Sequence, residues 1–256
     1  NFDSAEYAFI STYRKRFTLP EPRRGRRAYL DFDGVMLAAT VTLNGYTFPE
    51  HRGGFTPFSV DITDYVVEDS DNCLTVQVDS TERPDIPPYG NVVDYMTFGG
   101  IYRDVRLRLV EPVHIEHVFV RPMDVLSGQP RIEVDVWVKN QTNEAVRREL
   151  YCEVEYAVYA VAEALTIIEI PPHDTIKTTL TLSDGKYELW TLDNPRLYEL
   201  GAQLFEIGTD GTEEDMLDMT TEIVGLREAE FRQDGGFYLN GERVKLMGLN
   251  RHQNYP

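Results

Sequence analysis

Ile132-Glu133-Val134-Asp135-Val136-Trp137-Val138-Lys139 decides the fold class. Apolar and polar residues alternate with a period of two, which places one set on a buried sheet face and the other toward solvent. The pattern spreads outward in both directions. Leu74, Val76 and Val78 alternate with Thr75, Gln77 and Asp79, and Val105, Leu107 and Leu109 with Arg106 and Arg108. Asn44-Gly45, Asp210-Gly211 and Asn240-Gly241 are hairpin signals, because both residues of such turns need positive φ. Only the alanine-rich stretch Ala157–Leu165 would also tolerate a helix. The expectation is an all-β chain of many short strands, which favours sandwiches.

Composition limits the partners. Of 256 residues, 42% are hydrophobic and 27% charged, ordinary for a globular protein. The formal net charge of -18 repels phosphate backbones and anionic membranes, so neither nucleic acid nor membrane is an expected partner. The basic run Arg23-Arg24-Gly25-Arg26-Arg27 has no aromatic residues interleaved and reads as a solvated turn. No window has the roughly 18 apolar residues of a membrane span. Asn1-Phe2-Asp3-Ser4 has neither the basic nor the apolar part of a leader peptide. Cys73 and Cys152 lie far apart in alternating segments and read as small hydrophobes, with no disulfide or metal pairing. The location this favours is cytoplasmic, ahead of periplasmic or secreted.

Three regions are expected. Residues 1–111 contain the Gly53-Gly54 pair and a long loop, Thr81–Met96, with three prolines; Glu111-Pro112 is the joint. Residues 112–225 have the length and strand spacing of a seven-stranded sandwich of ~100 residues. Residues 226–256 open a new unit with a hairpin over Phe237–Met247.

An ordered series of motifs resembles glycoside hydrolase family 2. The first region contains Val41-Thr42-Leu43-Asn44-Gly45, then His51-Arg52-Gly53-Gly54-Phe55-Thr56-Pro57-Phe58, then Phe98-Gly99-Gly100-Ile101-Tyr102-Arg103. This resembles the family's N-terminal sugar-binding jelly roll. Leu189-Trp190, Asn194-Pro195-Arg196-Leu197-Tyr198 and Val224-Gly225-Leu226-Arg227 resemble the end of the immunoglobulin-like domain that follows it. Phe237-Tyr238-Leu239-Asn240-Gly241 and Gly248-Leu249-Asn250-Arg251-His252-Gln253 resemble the entry into the family's TIM barrel. The resemblance implies a jelly-roll sandwich, an immunoglobulin-like sandwich and the first hairpin and strand of a barrel. Arg251, where the family's β-glucuronidases usually have Lys, leans the match toward β-galactosidase.

The resemblance also implies a retaining exo-β-galactosidase acting on terminal β-galactosides, in an enzyme that forms homo-oligomers at full length. Retaining glycosidases need two carboxyl groups about 5 Å apart. Glu228 and Glu230 would share a strand face, but with 43 acidic residues a chance pair is easy to find, and a solvated strand edge explains them better. A TIM barrel takes roughly 250 residues, and only 26 follow Glu230. The family's two glutamates are therefore expected downstream, with this chain inactive alone. Two contributions to the site are expected here. Asp94 has the family spacing before Gly99-Gly100, and implies hydrogen bonds to galactose hydroxyls and a share in a sodium site. His252 implies a hydrogen bond to a sugar hydroxyl that stabilises the transition state, with Asn250 beside it as a substrate contact and Arg251 holding the strand end. Sodium and magnesium are the ions that the resemblance implies for the full enzyme. The alternatives are a β-glucuronidase or β-mannosidase of the same family, or a non-catalytic carbohydrate-binding protein of two sandwiches.

The other histidines, His51, His114, His117 and His173, show no metal-ligand spacing and read as surface or packing residues. Gly53-Gly54 and Gly99-Gly100 lack the strand-to-helix context of a phosphate loop and read as tight turns or bulges.

Overall fold

The computed structural model describes residues 8–90, 97–207, 213–233 and 235–250. It is all-β, with no helix among the described residues. The chain divides into two compact units: residues up to Val110 together with those from Leu249 on, and Glu111–Gly248.

The first unit contains β1 (Ile10–Phe17), β2 (Arg27–Phe32), β3 (Val35–Met36), β4 (Ala38–Leu43), β5 (Tyr46–Thr47), β6 (His51–Arg52), β7 (Phe58–Asp61), β8 (Asn72–Asp79), β9 (Gly100–Ile101) and β10 (Val105–Val110). One sheet runs β1-β8-β4-β5 with β6 also on β4; a second runs β10-β2-β7; β3 and β9 form a short pair. This is the jelly-roll sandwich. Its core follows from the alternation: Leu74, Val76 and Val78 point inward against Val41, Leu43, Leu30 and Phe32. The basic run before β2 is neutralised, with Arg23 paired to Glu68, Arg26 to Glu21 and Arg27 to Asp61.

The second unit contains β11 (Val113–Met123), β12 (Arg131–Asn140), β13 (Val146–Tyr156), β14 (Tyr159–Ile170), β15 (Asp174–Leu182), β16 (Tyr198–Ile207), β17 (Glu213–Val224), β18 (Ala229–Phe231), β19 (Phe237–Leu239) and β20 (Glu242–Val244). A three-stranded sheet, β11-β12-β15, faces a four-stranded one, β14-β13-β16-β17. These seven strands are the immunoglobulin-like sandwich. Ile132, Val134, Val136 and Val138 meet Leu150, Cys152, Val154, Leu200 and Leu204 in its core. The ambiguous stretch Ala157–Leu165 is a hairpin: Ala157 and Val158 turn at φ of 49° and 69°, and β14 follows. Both cysteines are free, Cys152 buried and Cys73 half-buried.

On the outer face of the four-stranded sheet, Leu165 and Ile167 of β14 are exposed, as are Met216 and Met219 of β17. Glu149, Glu153 and Glu163 stand among or beside them on that face.

The turns of this sandwich are tied by one buried amide. Asn140, fully buried, donates from Nδ2 to the carbonyls of Glu144, Ile170 and Pro171 at 2.8, 3.1 and 3.0 Å. Its Oδ1 accepts from the Thr142 backbone N–H and hydroxyl. Asn140→Asp would set a carboxylate oxygen against three carbonyls. We expect a loss of about 1–3 kcal/mol, the cost of unsatisfied buried polar groups, measured by urea unfolding; a variant as stable as the wild type would contradict this arrangement.

The three-stranded sheet β18-β19-β20 completes the second unit. Beyond it, Lys245–Asn250 pairs with no strand among the described residues. No barrel is closed there.

Candidate functional site

The loop that contains Asp94 leaves β8 and returns through β9, and both its ends are held on the jelly roll. The Ser80 hydroxyl donates to the Met36 carbonyl at 2.9 Å and accepts from the Gly100 N–H at 3.1 Å, tying exit to return. Asp79 accepts from the N–H and hydroxyl of Thr81. Ile86 is buried with Met36, Leu37 and Ala38. Arg83 bridges Glu50 and Asp85, and Arg52 reaches the same two carboxylates. These guanidinium hydrogen bonds hold both carboxyls below the usual range.

The paired glycines are close-approach points. Gly100 has a φ of 96° and lies under the Tyr13 hydroxyl, and Gly54 lies against the Met36 thioether, so a Cβ at either would collide. Tyr102 donates to the Gly54 carbonyl at 2.6 Å and so joins the two glycine pairs. Tyr13, Tyr89, Phe98 and Tyr102 leave aromatic surface exposed around the loop. Asp94 itself lies outside the described residues.

At the other candidate, β18–β20 opens a cavity of about 610 Å³ lined by Phe231, Phe237, Arg243 and Lys245 among others. Of Glu228 and Glu230, Glu230 accepts from Arg232 at 2.7 Å in an exposed ion pair, and the Glu228 backbone N–H donates to the Asn240 side-chain oxygen at 3.0 Å. Asn250 is exposed and belongs to no strand. Arg251, His252 and Gln253, like Asp94, lie outside the described residues. Among the described residues, no group of three His, Cys, Asp or Glu side chains could hold a metal ion. His114 is buried and bonds the Glu111 carbonyl, His51 stacks on Phe58, His117 lies beside Trp137, and His173 bonds Asn143.

Comparison with known proteins addresses the family. Residues 8–88 match the glycosyl hydrolase 2 galactose-binding domain-like family. The whole chain is 37% identical over 258 residues to a β-galactosidase of Thermoanaerobacter pseudethanolicus, covering 33% of that protein. It is 31% identical over 254 residues to a β-glucuronidase of Bacteroides fragilis, with 95% of this chain and 35% of the relative covered. Among solved structures, the Bacteroides uniformis β-glucuronidase superposes with a TM-score of 0.86 at 31% identity, over 96% of this chain and 30% of that one. The chain thus spans about a third of the length of the curated relatives it matches. The match to the glycosyl hydrolase 2 domain over residues 8–88, with alignments to glycosidases over nearly every residue, identifies the chain as a member of glycoside hydrolase family 2.

Proposed function

We propose that the chain is the sugar-binding front part of a retaining exo-β-galactosidase, with the catalytic glutamates in sequence beyond Pro256. The observation that carries this reading is the 37% identity, over the full chain, to a protein named β-galactosidase. Arg251, in the position where β-glucuronidases of the family usually have Lys, supports the same choice. The barrel entry has physical support too. Leu246, Met247 and Leu249 are all exposed here, at positions that would fall on both faces of a strand. Apolar residues on both sides suit a parallel-sheet strand covered on both faces.

In this reading Asp94 accepts hydrogen bonds from galactose hydroxyls, and His252, with Asn250 beside it, donates to a hydroxyl as charge develops at the sugar. A donor that strengthens its bond in the transition state raises kcat. Sodium at Asp94 and magnesium elsewhere belong to the same reading.

The competing reading, a β-glucuronidase, is favoured by the 0.86 TM-score to the Bacteroides uniformis enzyme. Parallel assays of the full-length protein on nitrophenyl β-galactoside and β-glucuronide decide: a preference for the glucuronide overturns the galactosidase assignment. Residues 1–256 alone are expected to turn over neither. In the full-length protein, Asp94→Asn is expected to lower kcat/KM on the galactoside by about tenfold or more, the worth of a hydrogen bond to a charged group. Unchanged kinetics would remove Asp94 from the site.

A further inference from the structure

The two described Asn-Gly hairpins do more than supply positive φ. Asn44 and Asn240 both sit at φ of 50°, each followed by a left-handed glycine. In each, the backbone N–H and the side-chain Oδ1 grip the two backbone groups of one residue on a neighbouring segment. Asn44 N–H donates to the Cys73 carbonyl at 3.0 Å, and its Oδ1 accepts from the Cys73 N–H at 2.8 Å. Asn240 N–H donates to the Glu228 carbonyl at 2.8 Å, and its Oδ1 accepts from the Glu228 N–H at 3.0 Å. The side-chain carbonyl stands in for the main-chain carbonyl, which the left-handed turn has swung away. The ladder thereby gains one rung past Leu239, whose partner is Ala229.

The remaining amide group then reaches a third segment. Asn44 Nδ2 donates to the Tyr65 carbonyl at 2.8 Å, and Asn240 Nδ2 to the Trp190 carbonyl at 2.9 Å. For Asn240 this third segment belongs to the sandwich. The Trp190 N–H donates to the Leu226 carbonyl at 2.8 Å. The Trp190 ring lies under the Arg227 guanidinium at 4.8 Å and against Gly225, where a Cβ would come within 3.2 Å of it. One side chain therefore joins the hairpin turn, the segment leading into β18 and the Trp190 loop.

We propose that Asn240 is a positioning residue: a latch that fixes the β18–β20 sheet on the immunoglobulin-like sandwich, so that the direction in which the chain leaves β20 toward Asn250 is set by the sandwich and not by the hairpin alone. This goes beyond the galactosidase reading and does not depend on it. Asn is the one residue that fits. Gly accepts the turn but has no amide, and Asp keeps the acceptor but loses the donor, placing a carboxylate against the Trp190 carbonyl.

The test compares Asn240→Gly and Asn240→Asp in the 256-residue chain by amide hydrogen exchange. In Asn240→Gly, the Glu228 amide and those of residues 237–244 are expected to exchange roughly tenfold faster, the loss of about one net hydrogen bond or more. Core amides of β12 and β13 are expected to be unchanged. In Asn240→Asp, residues 237–244 lose protection while the Glu228 amide keeps more of it. Wild-type exchange in Asn240→Gly would reduce Asn240 to a turn residue and overturn the latch. Equal acceleration throughout β12 and β13 would mark a global loss of stability and overturn it too. Wild-type exchange in Asn240→Asp would show that the Trp190 bond fixes nothing.

Discussion

Asp135→Ala is expected to destabilise the immunoglobulin-like sandwich by about 2–4 kcal/mol. The Asp135 side chain is only 2% exposed although it stands on the outer face of β12. Its neighbours cover it. Arg121 of β11 makes a two-pronged hydrogen bond to it, Lys177 of β15 approaches to 2.7 Å and the Thr179 hydroxyl donates at 2.6 Å. Removing one partner of a buried ion pair typically costs about 3–5 kcal/mol, because the charge left behind stays desolvated. Arg121 and Lys177 are 33% and 47% exposed and can turn to water, which lowers the figure. The effect also has a pH signature. The Arg121 hydrogen bonds, with those of Lys177 and Thr179, hold the Asp135 carboxyl well below the usual carboxylate range against the opposing pull of burial. A depressed folded pKa contributes stability that is fully present above the unfolded value of about 3.9 and is lost as pH falls toward the folded one. Urea unfolding of wild type and variant should therefore differ most at pH 7, and the gap should shrink below about pH 4. A gap of the same size at pH 7 and pH 3 would exclude this role for the carboxylate.

The largest expected effect belongs to Leu150→Ala, at about 3–5 kcal/mol. Leu150 is fully buried in β13, opposite Leu204 of β16 and Thr166 of β14. Truncation removes three carbons from the core that Leu150 shares with Val134, Val136 and Leu204, and leaves a cavity that strands fixed in two ladders cannot fully close. Against the 5–15 kcal/mol total of a typical domain, this brings the unit near the edge of folding. Leu165→Ala is the control. Its side chain is 62% exposed on the outer face of the adjacent strand, and a change within about 0.5 kcal/mol is expected. Comparable losses in the two variants would contradict the assignment of inner and outer faces.

The contrast between Leu150 and Leu165 also marks what was legible in the sequence. Where strands alternate cleanly, as over Ile132–Lys139, one strand's own pattern names its buried face. Asp135 was legible only as one of the polar alternates. Its burial comes from Arg121 and Lys177, which other strands bring alongside, and register between strands is not written in any one of them. The Ala157–Leu165 stretch stayed ambiguous because its turn is Ala157-Val158, residues that seldom take left-handed backbone, and not the Asn-Gly that announces the other hairpins. For the site, the loop after β8 and the hairpin within Phe237–Met247 were legible, yet the anchoring groups were not. The Ser80 hydroxyl and the Asn240 amide act through hydrogen bonds to backbone groups far away in sequence, which leave no periodic trace. Asp94 and His252 rest on the family resemblance alone.

The apolar row on the outer face of the four-stranded sheet gives the acidity of this chain a second meaning. β14 is an edge strand, and Leu165 and Ile167 lie along it where another chain's strand could add on. Glu163 and Glu169 flank that pair in the sequence, and Glu149 stands opposite Ile167. Charged residues in such places act as gatekeepers: a second copy arriving at the edge meets like charge before it meets oil. The surplus of carboxylates thus places like charge where two such edges would pair.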